Sequence, residues 1–181
     1  MIDYNLIANS IVHYTNCGYK RFESPWMVSE YIDNITKPVD RPHYQLKHNN
    51  KCLVASGEQS FLYLYLKEYI PKGKFQTVTP CFRSDEYDMF HEKTFIKNEL
   101  IITDEVNTKS LYLMIDIAKM FFKDNVPNPK KINVVKTDIG FDIEYDGIEL
   151  GSYGIRECDF LKWIYGTGCA EPRLSKIKYG K

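Results

Sequence analysis

Residues 80–99, PCFRSDEYDMFHEKTFIKNE, concentrate side chains that could bind a phosphorylated ligand. Arg83 is followed two residues later by Asp85, and His91 precedes Phe95 and Glu99. A guanidinium can bind a phosphate through paired hydrogen bonds, a carboxylate can bind Mg²⁺ or an ammonium group, and an aromatic ring can stack on a base. The segment therefore indicates nucleotide chemistry, and the alternative is a solvent-exposed hairpin of mixed charge.

Two strands are needed to hold these side chains together. Residues 75–82 and 93–103 are predicted strands joined by a polar loop. Phe95 and Glu99 are four residues apart, and Arg83 and Asp85 are two apart. Because alternate residues of a strand point to the same face, each pair is expected on one face of the sheet. A polar floor made of both strands follows from this spacing.

The rest of the chain predicts an α+β fold, with a mostly antiparallel sheet flanked by helices. Apolar residues recur with helical spacing over 3–16, where Asp3 is the expected cap, and over 108–123. A shorter helix is predicted over 58–69. Residues 132–155 form a predicted meander that turns at Asp146-Gly147, and the C-terminal part is expected to give a strand, a glycine-rich bend and a short helix. Residues 1–181 are interpreted as a single domain.

Composition restricts the possible partners and surroundings. The 24 basic and 24 acidic residues give a formal net charge of zero, so no strong overall field attracts nucleic acid. The longest apolar run, IAKMFF, is too short to span a membrane, and the polar start of the chain is not typical of a signal peptide. Five cysteines without a CxxC pair predict reduced thiols in a cytoplasmic protein. Zinc binding by Cys52, Cys81 and Cys158 is an alternative that their spacing does not favour.

Three motifs, in order, resemble those of the class II aminoacyl-tRNA synthetases. Residues 18–28, GYKRFESPWMV, follow a helix and look like the first motif, with Pro25 at its conserved proline position. Phe82-Arg83-Ser84-Asp85, then His91, Phe95 and Glu99, resemble the second motif, FRxE followed by FxxxE. Residues 166–174, GTGCAEPRL, look like the third motif, GxGxGxxR. Each motif is weak alone, but their order and the spacing inside the second motif make the resemblance specific.

The resemblance implies an enzyme that uses ATP and Mg²⁺ to convert an amino acid into an aminoacyl-adenylate. Arg83 would neutralise the α-phosphate, His91 and Arg173 would hold the β- and γ-phosphates, and Phe95 would stack on adenine. It also implies an ATP contact from Asp85 and a magnesium and ATP site at Glu149 and Ser152, which match a Glu-x-x-Ser pattern. The residues implied for amino-acid binding are Ser56, Glu58, Glu99 and Thr167.

Several features leave the subclass and the partner open. TPCFR, FIKNEL and GTGCAEPR most resemble seryl-tRNA synthetases, which favours a small, serine-like substrate. The loop length before His91 is similar to phenylalanyl and pyrrolysyl enzymes, and ELGSYGIR is similar to asparagine synthetase, a related adenylating enzyme. Asp85 and Ala170 replace the usual glutamate and glycine of their motifs. A non-catalytic paralogue acting as a binding or regulatory module is therefore the alternative function.

The resemblance also predicts an assembly and an acceptor. Residues 1–28 are expected to form a homodimer interface, because the first motif has that role in the family. The chain is interpreted as a bare catalytic core without an appended tRNA-binding domain. We therefore expect inefficient charging of free tRNA, and transfer of the amino acid to a carrier protein, to a small molecule, or to tRNA only with the help of a partner.

Overall fold

The computed structural model describes residues 1–38, 42, 44–47, 49–84, 90 and 92–180. Helices and strands are interspersed along the chain. The α-helices are α1 (Tyr4–Asn16), α2 (Glu30–Thr36), α3 (Gly57–Leu66), α4 (Thr108–Asn125) and α5 (Arg173–Tyr179). The strands are β1 (Lys20–Arg21), β2 (Met27–Ser29), β3 (Lys51–Leu53), β4 (Lys74–Phe82), β5 (Thr94–Ile102), β6 (Ile132–Lys136), β7 (Phe141–Tyr145), β8 (Ile148–Cys158) and β9 (Leu161–Glu171).

Seven strands form one sheet in the order β1-β4-β5-β9-β8-β7-β6, and β2 pairs with β3 separately. In the large sheet only the β1–β4 pair is parallel, among the described residues. The predicted β4–β5 hairpin is confirmed, with Phe82 opposite Thr94. The Asp146-Gly147 turn is also confirmed, since both residues have positive φ. The α+β class with a mostly antiparallel sheet is therefore confirmed.

Helices α1, α4 and α5 cover one face of the large sheet and share one apolar core with it. Asp3 caps α1 as predicted, accepting hydrogen bonds from the backbone N–H groups of Asn5 and Leu6. The prediction for α4 is confirmed as well. The five residues expected on its buried face are buried, namely Leu111, Met114, Ile115, Ala118 and Phe122.

The glycine-rich bend predicted near the C-terminus is wrong. Gly166 and Gly168 lie inside β9, which continues to Glu171. A Cβ at Gly166 would lie 2.5 Å from the sulfur of Met114, and one at Gly168 would lie 2.7 Å from the ring of Tyr14. These glycines let α4 and α1 pack closely on the strand, so close packing explains them and a turn does not.

The other face of the sheet is covered by α2, α3 and the β2–β3 pair, which enclose a second apolar cluster around Phe61 and Trp163. Helix α2 was not predicted. It is only two turns long, and its start is marked by Ser29, whose side chain accepts a hydrogen bond from the N–H of Ile32. Within the described part of the chain, none of the helices has both the length and the apolar character to cross a bilayer.

Candidate active site

A cavity of ≈ 280 Å³ lies between the sheet and the α2–α3 layer. Strands β5, β8 and β9 provide its floor, and the first turn of α3 provides one wall. Seven of the residues predicted for the site line this cavity, namely Ser56, Glu58, Arg83, Glu99, Glu149, Ser152 and Thr167. Residues that are distant in sequence are thus brought together around one cavity.

A smaller cavity of ≈ 20 Å³ adjoins this site and contains Phe95 and Arg173. Arg83 lines both cavities, and its guanidinium lies 5.2 Å from the centre of the Phe95 ring. Arg173 donates to the carboxylate of Glu149 at 3.0 Å and to its backbone carbonyl at 2.9 Å. Arg83 therefore stands at the junction of an aromatic subsite and the larger polar cavity.

Arg83 lies just beyond the strand on which it was expected, because β4 ends at Phe82. The pairing nevertheless extends to this residue, since the Arg83 N–H donates to the carbonyl of Lys93 at 2.9 Å. The Arg83 Nε donates to the carbonyl of Ala55 at 3.1 Å, which directs the side chain across the cavity. Asp85 and His91 lie outside the described residues.

The carboxylate of Glu99 lies on the floor of the larger cavity and is only 1% exposed. Its Oε2 accepts a hydrogen bond from the hydroxyl of Ser56 at 2.6 Å and forms an ion pair with the Lys97 Nζ at 2.7 Å. Its Oε1 is buried and has no hydrogen-bond partner among the described residues. Leaving a buried carboxylate oxygen without a hydrogen-bond donor is unfavourable. A ligand that donates a hydrogen bond to this oxygen would remove that penalty, so Oε1 is a candidate ligand contact.

Glu58 also lines the cavity, but protein groups already occupy both of its oxygens. Trp163 donates to Oε1 at 2.6 Å, and Arg156 pairs with Oε2 at 2.5 Å. Burial raises the pKa of the Glu58 carboxyl, and the nearby Arg156 opposes that effect. The Arg156 guanidinium lies 4.2 Å from the centre of the Tyr165 ring, so it is held on one side by a carboxylate and on its face by an aromatic ring.

Glu149 and Ser152 form the edge of the cavity on β8. Asp142, on the neighbouring strand β7, is paired with Ser152 in the sheet register. Burial raises the pKa of the Asp142 carboxyl, a hydrogen bond from Ser152 lowers it, and the nearby carboxylate of Glu149 raises it further. Two close carboxylates and a hydroxyl are hard oxygen donors of the kind that Mg²⁺ prefers. Among the described residues no group of three or more His, Cys, Asp and Glu side chains could hold a metal alone.

Three cavity or edge residues were missed by the sequence analysis: Lys97, Arg156 and Asp142. Lys97 could have been found from its position between Phe95 and Glu99, since all three share one face of β5. Arg156 lies on β8, seven residues after Glu149. Its position in the sequence does not distinguish it from an ordinary surface arginine. Asp142 is brought to Ser152 only by the pairing of β7 with β8.

Solved structures share the fold of this chain. Pyrrolysyl-tRNA synthetase from Desulfitobacterium hafniense superposes with a TM-score of 0.77 at 15% identity, covering 98% of this chain and 70% of that one. A structure of Desulfitobacterium hafniense PylSc, a pyrrolysyl-tRNA synthetase, gives a TM-score of 0.76 at 15% identity, covering 98% of this chain and 67% of that one. Seryl-tRNA synthetase from Pyrococcus horikoshii, complexed with ATP, gives 0.78 at 16% identity, covering 97% of this chain and 49% of that one.

The comparison establishes the fold: the chain is built like the catalytic core of a class II aminoacyl-tRNA synthetase. It spans about half the length of the seryl enzyme. No protein-family model matches the sequence, and no curated protein is detectably similar to it in sequence. The likeness therefore lies in the architecture, and the chemistry has to be argued from the site.

Proposed function

We propose that this chain activates the carboxyl group of an amino acid with ATP, forming an aminoacyl-adenylate and releasing pyrophosphate. An oxygen of the amino-acid carboxylate attacks the α-phosphorus, and the bond between the α-phosphorus and the bridging oxygen breaks. No general base is needed, because the attacking carboxylate is already ionised at neutral pH. Catalysis then consists of positioning the two substrates and stabilising charge in the transition state.

The observation that carries this proposal is the position of Arg83 between the two cavities. Adenine would lie against Phe95 in the smaller cavity and the amino acid against Glu99 in the larger one. The α-phosphate would then lie at their junction, where a guanidinium can bind it through two hydrogen bonds. At ≈ 20 Å³ the smaller cavity has room for about one water before ATP binds. The Arg83 guanidinium lies near the Phe95 ring, so its movement to the phosphate on ATP binding would open this cavity for the base.

Phe95 and Arg173 would enclose the adenine, since both line the smaller cavity. Arg173 is held by Glu149 and would also contact the terminal phosphates. His91 and Asp85 keep the roles that the sequence resemblance implies, in binding the phosphates and the base. Glu149, Ser152 and Asp142 would hold Mg²⁺, which supplies charge neutralisation to the phosphates when bound.

The amino acid would be bound by its ammonium group at Glu99, whose Oε1 is buried without a partner in the described part of the site. Ser56 and Lys97 fix the other oxygen of that carboxylate. Thr167 lines the same cavity and would contact the side chain of the substrate. Glu58 would act on the substrate through Arg156, because its two oxygens are already bonded.

A direct test is to incubate the protein with ATP, Mg²⁺ and single amino acids and to detect the adenylate by mass spectrometry. We expect an amino-acid-dependent mixed anhydride and an equal amount of pyrophosphate. Serine is the first candidate substrate from the sequence resemblance. ATP binding without an adenylate from any amino acid would instead support the non-catalytic alternative.

A second candidate function is that of an adenylating enzyme that amidates an acidic amino acid. The similarity of ELGSYGIR to asparagine synthetase suggests it, and the position of Arg156 favours it. Its guanidinium lines the amino-acid cavity and could donate hydrogen bonds to a side-chain carboxylate or amide oxygen. This candidate predicts AMP formation that requires both aspartate and ammonia. Serine-dependent adenylate formation without ammonia would exclude it.

The second step would transfer the amino acid to a carrier protein, to a small molecule, or to tRNA with a partner. The zero net charge of the chain favours weak binding of free tRNA, because phosphate neutralisation provides much of RNA affinity. Acylation of total tRNA at two salt concentrations tests this. Efficient acylation by the isolated chain would contradict it.

A further inference from the structure

Glu171, at the end of β9, is a fully buried carboxylate that joins three segments of the chain. Its Oε1 accepts a hydrogen bond from the backbone N–H of Ser175 in α5 at 2.9 Å. Its Oε2 accepts one from the backbone N–H of Asp3, ahead of α1, also at 2.9 Å. The two bonds tie the N-terminal residues and the last helix to the same strand end.

This strand end borders the proposed adenine subsite. Glu171 pairs with Ile96 in the sheet register, next to Phe95, and it lines the smaller cavity together with Phe95 and Arg173. Arg173 is the first residue of α5. The bond from Ser175 to Glu171 therefore fixes the helical turn that carries this arginine.

Burial of a carboxylate at this position is unfavourable in itself. Burying it costs free energy unless it is hydrogen-bonded, and burial raises the pKa of the Glu171 carboxyl. None of the ion pairs between described residues includes Glu171. An apolar side chain of similar size would have a smaller desolvation cost, but it would leave the N–H groups of Asp3 and Ser175 without this acceptor. The role of the carboxylate is therefore the geometry that its two hydrogen bonds impose.

We propose that Glu171 is a positioning residue for the ATP site. It holds α5 and the N-terminal residues against the end of β9, and thereby sets the Arg173 guanidinium opposite Phe95. ATP affinity is then linked to the packing of residues 1–3. This inference rests on the proposed function, because it requires Arg173 to contact ATP.

The test compares Glu171→Gln with a control variant by calorimetric titration of ATP. The glutamine side chain keeps the size of glutamate but can accept only one of the two hydrogen bonds at its oxygen. The control is Lys162→Ala, at an exposed position of the same strand, where Lys162 forms a surface ion pair with Glu157. We expect Glu171→Gln to raise the ATP Kd about tenfold and the control to stay within about twofold of the wild type.

A double-mutant cycle distinguishes an effect of Glu171 on the position of Arg173 from a general loss of packing around the site. If Glu171 acts through Arg173, Glu171→Gln should have no further effect on the ATP Kd in an Arg173→Ala background. The amino-acid KM should remain unchanged in Glu171→Gln. If that variant does not fold, Glu171→Asp, which keeps the charge but shortens the reach, takes its place with the same expectations.

An unchanged ATP Kd in the folded variant, or an equal loss with and without Arg173, would overturn the inference while leaving the proposed function intact. A wild-type protein that binds no ATP would instead overturn the proposed function, and this inference with it.

Discussion

Arg83 is the residue on which the proposed chemistry depends most, because its side chain borders both cavities. Replacing it with alanine removes the guanidinium that would stabilise negative charge developing at the α-phosphate. Removing one such donor from an active site typically lowers kcat by about 10²–10³. We expect a loss of that size in pyrophosphate exchange for Arg83→Ala. The melting temperature should fall by only a few degrees, because the variant also loses the bond from the Arg83 Nε to the Ala55 carbonyl.

Arg21 offers a matched control for this variant. It is half-exposed and pairs with Glu23 at 2.8 Å, away from both cavities. Arg21→Ala should keep the wild-type exchange rate, because a surface ion pair contributes little. If Arg83→Ala were as active as this control, Arg83 would not be the α-phosphate ligand.

The ion pair between Glu58 and Arg156 makes a prediction about stability. Arg156→Met would leave the Glu58 carboxylate buried without its cation, which typically costs about 3–5 kcal/mol. Adding Glu58→Gln removes the stranded charge, so the double variant should recover part of the free energy of unfolding. Urea denaturation of the single and double variants measures this, and equal stability of the two would contradict it.

At the residue scale, spacing predicts which residues of one regular strand share a face, but it does not predict which residues meet through strand pairing. Phe95 and Glu99 could be assigned to one face from their spacing alone. Asp142 could not, because it meets Ser152 only across the β7–β8 pair. Glu58 was identified from its resemblance to a known motif, but the Trp163 and Arg156 bonds that occupy it depend on residues about a hundred positions away.

At the scale of elements, strand β9 links the core to the site. Its Gly168 lies against Tyr14 of α1, where an added Cβ would lie 2.7 Å from the ring and 3.2 Å from the carbonyl of Asn98. Gly168→Ala should therefore push α1 away from the sheet and lower the free energy of unfolding by about 1–3 kcal/mol. Chemical denaturation measures the change.

Lys162→Ala, at an exposed position of the same strand, is the matched control and should change stability by less than about 0.5 kcal/mol. A Gly168→Ala variant as stable as this control would show that α1 can move at no cost. Close helix packing would then not be the reason for the glycines in β9.

The elements that the sequence predicted correctly have strong periodicity or clear end signals. Helix α4 shows both, with a buried face of regular spacing and an asparagine cap at Asn107. Helix α2 has neither length nor strong periodicity. The glycines of β9 were misinterpreted as a bend, because glycine favours turns in general and the aromatic and sulfur-containing neighbours that require glycine in this strand come from other elements.

At the scale of the whole molecule, the surface near the first motif predicts self-association. Trp26, Met27 and Tyr31 are 59%, 42% and 56% exposed and lie within six residues of one another in sequence. Exposed apolar surface is typical of an interface when it is contiguous. A symmetric homodimer through residues 1–28 would cover Trp26 and Met27. Met27→Glu should then convert a dimer to a monomer, because it would bury two unpaired charges.

Light scattering at micromolar concentration measures this change. Met120→Glu is the control, since Met120 is 60% exposed on α4, outside residues 1–28, and should leave the dimer intact. A wild-type mass equal to one chain would contradict the assembly that we propose.

The central claim, activation of an amino acid by ATP, is tested most directly by amino-acid-dependent exchange of labelled pyrophosphate into ATP. The reaction requires the adenylate to form and to reverse, so it reports the proposed step without needing the acceptor. We predict exchange that depends on Mg²⁺ and on one amino acid or a few related ones, and that is lost in Arg83→Ala. Absence of exchange with all twenty amino acids in the presence of Mg²⁺ would contradict the claim.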